Sequence, residues 1–442
     1  MKWPWTSGDN ERLSIWNGSF AMISMSIVNG FVAIYLLDSL HATDGQMGLL
    51  SSLPNLVNLF SMLAAAALLR GAKSKKRFCA TATGISRSFY VWIALVPWLP
   101  IPHAALWVVW LVALTRVPQS FADLSWQALI GDLIRPERRS NFFSERNRML
   151  TLMGLITTFL TGLLLQQFDK HAAGPYQFVF LTTIFFAVLE ILFLLKHDES
   201  ALPSSGESAV KEAGEVAQDN VAQDVASAIY SPERPLHRAL KDRPYLMVIG
   251  ALLWFNFGWQ MSWPLFNIYQ ISTAHAPAMW IGMFTVVNSL AQVVSFRWWG
   301  RMAERYGNGK MLALAAVGMA MAPVLTILST NMYYLVFVNL ITGAPVAGTT
   351  LLIFNYLLEV SPQRHRTAYI SYYNVILSVV GFIAPEVGIF FLKHVGMTGG
   401  MVISTSLRLV GAGLFWVVAV WLASRMKLPV PSNFFGIGGR HG

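Results

Sequence analysis

The sequence predicts an all-α membrane protein with twelve transmembrane helices in two six-helix bundles and with both termini in the cytoplasm. Three observations lead to this prediction: an apolar composition, a series of long apolar segments and an internal duplication. The chain has 442 residues, of which 55% are hydrophobic and 12% are charged, and its mean hydropathy is +0.51. Soluble domains of this length are far less apolar, so the chain is expected to lie in lipid.

Twelve mainly apolar segments follow one another, and about 20 helical residues are enough to cross the hydrocarbon core of a bilayer. The first six are 13–37, 46–69, 78–99, 104–130, 149–165 and 176–195. The second six are 245–271, 279–296, 311–328, 332–358, 368–392 and 401–423.

The predicted domains follow from this series. Residues 1–196 form an N-terminal six-helix bundle, and residues 244–425 form a C-terminal one. Between them, residues 197–243 lose the apolar periodicity and carry acidic residues among Ser, Ala and Gly, which predicts a flexible cytoplasmic linker. Residues 426–442 are predicted to form a cytoplasmic tail.

One pattern of residues occurs twice, 227 positions apart, as from Thr115 to Thr342. The first copy contains Thr115, Pro118, Asp132, Arg139, Phe142, Ser144, Asn147 and Gly154, and the second contains Thr342, Pro345, Glu359, Arg366, Tyr369, Ser371, Asn374 and Gly381. Regular spacing of this kind marks a duplicated helical unit. In a membrane protein it predicts two related bundles that face each other across a central site.

The distribution of the 32 lysines and arginines predicts the orientation. Only Lys170 and Lys393 fall in predicted outer loops. Three arginines fall inside apolar segments: Arg87, Arg116 and Arg408. All other lysines and arginines fall on the opposite side of the membrane from the outer loops. Basic loops favour the cytoplasmic side, so both termini are predicted to be cytoplasmic. The membrane is predicted to be the cell membrane, which is the inner membrane of a cell with two. This asymmetry accounts for the net charge of +10, so membrane lipids are the expected partner and nucleic acid is not.

Metal and redox chemistry have little support in the sequence. The single cysteine, Cys79, excludes an internal disulfide and a multi-cysteine metal site. The histidines at positions 41, 103, 171, 275 and 394 occur one to a predicted outer loop and lack the spacing of metal ligands. No nucleotide-binding loop of the Gly-x-x-x-x-Gly-Lys-Ser/Thr type is present, so neither a cofactor nor direct drive by ATP is expected.

The loop between the eighth and ninth segments contains Gly300, Glu304, Arg305, Gly307 and Lys310. Its order of Gly, three residues, an acid, Arg, then Gly and a final base resembles the loop signature of the major facilitator superfamily. In the fourth segment, the stretch 116–119 resembles the Arg-x-x-Gln motif of the same family. With the segment count and the duplication, the resemblance covers nearly the whole chain, and it implies a secondary transporter that works by alternating access.

Charged residues at predicted cytoplasmic helix ends form a candidate gate. A carboxylate and a guanidinium there can bond to each other and to free carbonyl groups of a neighbouring helix. The set comprises Asp132, Arg139, Gly300, Glu304, Arg305, Gly307, Glu359 and Arg366. Such bonds would stabilise an outward-facing state, and the alternative is that these residues only anchor the loops beside lipid.

Charges inside apolar segments are the strongest functional candidates, because an ionised group in the hydrocarbon region must face protein or water. Arg116 lies about 12 residues into its segment, roughly 18 Å from the outer end, which places it near the membrane middle and predicts that it binds substrate. Asp123 follows two helical turns later on the same face, so it is a candidate proton carrier, or else part of a static network that braces Arg116.

Two salt bridges are expected between buried charges of opposite sign. Glu386 and Arg408 lie at similar predicted depths on consecutive antiparallel segments. Arg87 and Glu190, on the third and sixth segments, form a second and less well matched pair.

Amides and aromatic rings on several segments are candidate substrate ligands, because amides orient polar groups while rings cover apolar faces. They are Asn29, Asn55, Asn58, Asn256, Trp259, Gln260, Trp263, Asn288, Gln292, Tyr373 and Asn374. The alternative for each amide is that it bonds one helix to another. The set favours a neutral or amphiphilic organic solute, and the single central arginine permits an organic anion.

The predicted function is secondary active transport of a small organic solute, coupled to protons through Asp123, by a monomer and in an undetermined direction. A facilitative uniporter of a neutral solute and a non-transporting membrane sensor are alternatives. A polytopic membrane enzyme is a third, although no set of acid, base and nucleophile gathers at one membrane face, so an enzyme is not expected.

Overall fold

A computed structural model describes residues 9–69, 74–100, 102–134, 136–197, 239–362 and 366–426. Most of the predicted linker and nearly all of the predicted tail lie outside the described residues. The described part of the chain is all-helical and contains no strand.

The N-terminal half begins with a helix that ends in a π-helical turn, Tyr35–Ser39. Pro118 cannot donate a backbone hydrogen bond to the carbonyl of Leu114, and the fourth predicted segment divides there into α4 and α5. The helices are α1 (Asp9–Ile34), α2 (Asp44–Leu69), α3 (Lys75–Leu95), α4 (Ala104–Leu114), α5 (Arg116–Leu133), α6 (Pro136–Leu165) and α7 (Ala173–Leu195).

The C-terminal half shows the same kind of interruption. Pro264 and Pro323 each stand at the start of a new short helix, where the missing N–H group is tolerated. The helices are α8 (Arg243–Met261), α9 (Trp263–Ile268), α10 (Ala278–Tyr306), α11 (Asn308–Ala320), α12 (Ala322–Ile327), α13 (Met332–Val360) and α14 (Arg366–Met426).

Within the described residues, nine helical stretches are long and apolar enough to cross a membrane. One of them is the apolar part of α14, whose 61 residues would extend about 90 Å as one helix, three times the hydrocarbon thickness. Gly396, with φ +74°, interrupts α14 between the two segments that the sequence predicts there. Twelve crossings and cytoplasmic termini remain predictions.

The first segment of each half ends in the same way. A π-helical turn at Tyr35–Ser39 is followed by His41 with φ 50°, and a second at Tyr269–Thr273 is followed by His275 with φ 51°. The amide of Ala42 bonds the carbonyl of Leu36 at 2.8 Å, and Ala276 bonds Gln270 at 2.9 Å. The internal duplication is therefore present in backbone geometry as well as in sequence.

We call the end of the bundle at which α1 begins the terminal end, and the opposite end, which carries His41, the distal end. The two halves meet towards the distal end. There Ser52 on α2 donates a 2.7 Å hydrogen bond to the carboxylate of Glu386 on α14, and Asn55 donates to the carbonyl of Gly381 at 3.1 Å.

A second contact between the halves is formed by α6 and α10, which cross closely at two glycines. A Cβ atom at Gly162 would lie 2.9 Å from the carbonyl oxygen of Ala278, and one at Gly282 would lie 3.0 Å from that of Thr158. Both contacts are with backbone, which cannot rotate away. The described helices are thus arranged in a state that is closed at the distal end.

Of the two expected salt bridges, one is confirmed. Arg87 donates from Nε and Nη2 to both carboxylate oxygens of Glu190, at 2.9 and 3.0 Å, and both side chains are buried. This two-point geometry is the one that stabilises a buried ion pair most effectively.

The expected bridge between Glu386 and Arg408 is wrong. Arg408 is buried and donates to the carbonyl groups of Gly258, Trp259 and Met319 and to the hydroxyl of Ser262. These carbonyl groups lie at the C-terminal ends of α8 and α11, where backbone oxygens lack helical partners and the helix dipole is negative. Two interrupted helices therefore hold the guanidinium in place of a carboxylate.

Candidate functional site

The largest described cavity lies between the two halves and has a volume of about 870 Å³. It is bounded by α1, α2, α4, α5 and α6 from one half and by α9 and α10 from the other. Of the predicted ligands it is lined by Asn29, Asn55, Asn58, Arg116 and Trp263. The structure thus brings together predicted residues from both halves, as a substrate site between two bundles requires.

Arg116 is the first residue of α5, immediately after the interruption at Thr115, and its side chain is partly exposed to the cavity. The hydroxyl of Ser120 donates to the carbonyl of Arg116 at 2.7 Å and to Oδ1 of Asn58 at 2.8 Å. The bond to Asn58 joins α5 to α2, and the bond to the carbonyl of Arg116 lies within α5. The guanidinium itself donates no hydrogen bond to another described residue, so its donors face the cavity.

A second cavity, of about 490 Å³, extends into the C-terminal half and shares Trp263 with the first. Asn288 and Gln292 line it, and they bond each other at 2.7 Å, while Asn288 also donates to the carbonyl of Asn339 at 3.0 Å. These two amides therefore line a cavity and join helices at the same time, which combines both predicted roles.

Four polar residues that line both of these cavities were not predicted from the sequence: Asn267, Gln270, Thr285 and Ser289. Asn267 and Gln270 follow Trp263 by four and seven positions, which is the spacing of one helix face. Helical spacing from Trp263 would have identified them.

A third cavity, of about 310 Å³, is lined by Asn256, Gln260 and Asn374, with Trp259 beside them. Tyr373 lies elsewhere. It is buried in the core, where its hydroxyl accepts a 3.2 Å hydrogen bond from Nδ2 of Asn256, and it lines none of the described cavities. Its role is packing between α8 and α14.

The fourth cavity, which we call the side cavity, lies within the N-terminal half and has a volume of about 470 Å³. Asp123 lines it together with Arg116, so the structure places both on one wall as predicted. Gln119 donates to Asp123 at 2.7 Å and accepts from Nη1 of Arg87 at 3.0 Å. Through this amide, Asp123 is connected to the buried pair of Arg87 and Glu190.

The candidate gate residues lie towards the terminal end. Glu304 and Arg305 are exposed at the end of α10, and Gly307, with φ +88°, allows the sharp turn into α11. Glu359 accepts a 3.0 Å hydrogen bond from Asn308, and no described residue forms a salt bridge with Arg366. Gly300 lies one turn before Glu304 in α10. The side chains of Asp132 and Arg139 lie outside the described residues.

A family model described as Major Facilitator Superfamily matches residues 15–275 and 255–434. The chain belongs to the major facilitator superfamily. This major facilitator protein is therefore a transporter, not an enzyme, and an integral, multi-pass membrane protein. A search of curated proteins finds no match.

Several solved structures share the fold. A peptide transporter, POT, is 12% identical, with a TM-score of 0.71 over 96% of this chain and 97% of that one. A D-xylose–proton symporter is 12% identical, with a TM-score of 0.66 over 92% and 97%. The nucleoside transporter NupG is 13% identical, with a TM-score of 0.62 over 95% and 98%. At these identities, the comparisons show that the major facilitator protein has their fold.

Proposed function

We propose that this major facilitator protein is a secondary active transporter that moves a small organic solute, coupled to protons. The single observation that carries the proposal is the polar cavity between the halves, closed at the distal end and lined from both sides by amides and by Arg116. A solute bound there contacts both halves, so its binding energy can act on their relative arrangement.

Proton coupling is proposed to pass through Asp123. Its carboxylate is exposed to the side cavity, which shares Arg116, Asn58 and Met22 with the central cavity, so a bound solute and Asp123 influence the same arginine. Gln119 donates a hydrogen bond to Asp123 and accepts one from Arg87, which is paired with Glu190. A change in the charge of Asp123 can therefore alter the bonds of this buried pair. A D-xylose–proton symporter has the same fold, which supports proton coupling as the mechanism to test first.

Asp123→Asn is expected to abolish solute accumulation driven by a pH gradient, by about tenfold or more, because the amide cannot take up and release the proton. Exchange of labelled for unlabelled solute at equal pH should continue, since the cavity remains intact. Both are measured as flux in proteoliposomes.

Asp169→Asn is the matched control, because Asp169 is an exposed carboxylate in the distal loop before α7 and lines none of the described cavities. Gradient-driven accumulation that survives in Asp123→Asn would instead support the facilitative uniporter.

We further propose that the candidate gate closes the terminal end in the opposite state. Glu304 and Arg305 are exposed here, where the described contacts join helices of the same half. In an outward-facing state they would pair across the halves with Asp132, near the end of α5, and Arg139, near the start of α6. Glu359 and Arg366 would complete the closure. The same proposal places the terminal end on the cytoplasmic side of the membrane.

A further inference from the structure

The central cavity has an unusual charge balance. Among the lining residues that the structure describes, Arg116 is the single ionisable side chain of the 870 Å³ cavity, and Arg408 is that of the adjoining 490 Å³ cavity. The described lining of the 310 Å³ cavity contains no ionisable side chain. The three connected spaces therefore contain two guanidinium groups and no described carboxylate.

A guanidinium in the middle of a membrane protein is normally neutralised, because an unpaired charge in a low-dielectric region costs several kcal/mol. Arg87 meets this requirement through its two bonds to Glu190. Arg408 meets it through carbonyl groups at two helix ends. Arg116 bonds no described residue through its guanidinium, so an anion entering the cavity would supply the missing charge.

The side cavity does not cancel this positive potential. Its described lining contains three arginines, Arg87, Arg116 and Arg146, against the two carboxylates of Asp123 and Glu190. Glu190 is bound by Arg87, and Asp123 accepts a hydrogen bond from Gln119. The hydrogen bond from Gln119 leaves the charge of Asp123 in place, but the described lining still has one more positive than negative charge.

We infer that the transported solute is a monoanionic organic acid whose acidic group binds Arg116 in the central cavity. The inference rests on the proposed transport function and names its substrate class. One guanidinium with free donors suits one carboxylate or similar group, through paired N–H bonds. Asn267, Gln270 and Ser289 on the facing helices are placed to bond the polar part of the body, and Trp263 to cover its apolar part. Cationic solutes are repelled by Arg116.

The cavity potential can be measured without knowing the solute. Ser289→Cys places a nearly isosteric thiol in both large cavities, and it is made in a Cys79→Ala background because native Cys79 is buried but lines the side cavity. Two methanethiosulfonates are used, one with a sulfonate group and one with a trimethylammonium group. The rate at which each modifies this cysteine is divided by its rate with a small thiol in solution, and the two normalised rates are compared. The anionic reagent should be favoured, and Arg116→Gln should lower its advantage roughly tenfold, the effect of one charge at several ångström in a medium of intermediate dielectric.

Arg297→Gln is the matched control, because Arg297 is exposed in α10 and lines none of the described cavities, and it should leave the ratio unchanged. The inference is overturned if the cationic reagent is favoured, or if Arg116→Gln and Arg297→Gln behave alike.

Protection by ligands tests the substrate class directly. A panel of aliphatic and aromatic monocarboxylates, each matched with its primary amide, is added before modification of Ser289→Cys. At least one acid should slow the reaction fivefold or more where its amide does not, and the effect should be absent in Arg116→Gln. Protection by amides alone, or by neither class, contradicts the inference. A protecting acid that never crosses the bilayer in proteoliposomes would leave the anion site standing and refute the proposed transport function.

Discussion

Gly162→Val is expected to abolish transport while leaving both halves folded. In the closed distal end, the position of a Cβ atom at Gly162 is 2.9 Å from the carbonyl oxygen of Ala278 and 3.1 Å from Cα of Met279. The valine side chain cannot be accommodated against backbone, and overpacking of this kind costs about 1–3 kcal/mol. That cost falls on the closed state alone, so the protein should accumulate with the distal end open, and solute flux should fall at least tenfold.

The measurement combines flux in proteoliposomes with access to Ser289→Cys from the distal side, which should rise in the Gly162→Val background. Gly250→Val is the matched control, because a Cβ atom at Gly250 meets no atom within 4 Å and the residue is exposed on α8. Wild-type flux in Gly162→Val, or an equal loss in Gly250→Val, would contradict the assignment of the α6–α10 crossing as a closing contact.

Arg116→Ala is expected to abolish transport without affecting membrane insertion. Its guanidinium lines both the central and the side cavity, and the hydrogen bond that joins α5 to α2 uses the side chains of Ser120 and Asn58. Removing the guanidinium therefore leaves the helix contact intact. Loss of a charge-assisted ligand contact is worth about 2–5 kcal/mol, which predicts a flux at least about thirtyfold lower.

Arg116→Lys should retain part of the flux, since the charge remains while the paired donors are lost. Arg297→Ala should match the wild type in flux, and all three variants should have the same thermal unfolding midpoint in detergent. Full activity of Arg116→Ala would remove this residue from the site and with it the centre of the proposed mechanism.

The fold class was predictable because each segment is as long as a bilayer is thick and because the halves repeat. The position of Arg116 beside a cavity was expected from depth alone, since a charge at that depth must avoid lipid. The pairing of Arg87 with Glu190 was expected from opposite charges inside the third and sixth segments. These inferences need only position along a helix, which the sequence contains.

The environment of Arg408 was not predictable in the same way. Depth matching assigned it to Glu386, but Pro264 and Pro323 interrupt two neighbouring helices and expose carbonyl groups at the depth of the guanidinium. Which carbonyl groups can bond the guanidinium depends on how α8, α11 and α14 pack. Matching charged side chains in pairs does not consider backbone carbonyl groups as partners.

Two further features had signals in the sequence. Residues 35–42 and 269–276 share the order Tyr, three residues, Ser or Thr, one residue, His and Ala, which marks the equivalent π-helical turns. Helical spacing from Trp263 would have identified Asn267 on α9 and Gln270 in the π-helical turn that follows. Tyr373 illustrates the opposite case, because an aromatic side chain in a membrane helix packs in the core as readily as it lines a cavity.

Distances between spin labels across the two ends of the bundle test the central claim most directly. One pair, Gln167→Cys with Ser272→Cys, joins exposed distal positions of the two halves, and another, Arg148→Cys with Arg297→Cys, joins exposed positions towards the terminal end. Both pairs are made in a Cys79→Ala background, because native Cys79 lines the side cavity. As external pH and transported solute are varied in proteoliposomes, alternating access predicts that the distal distance lengthens while the terminal distance shortens. Two distances that stay fixed, or that change in the same direction, would contradict it.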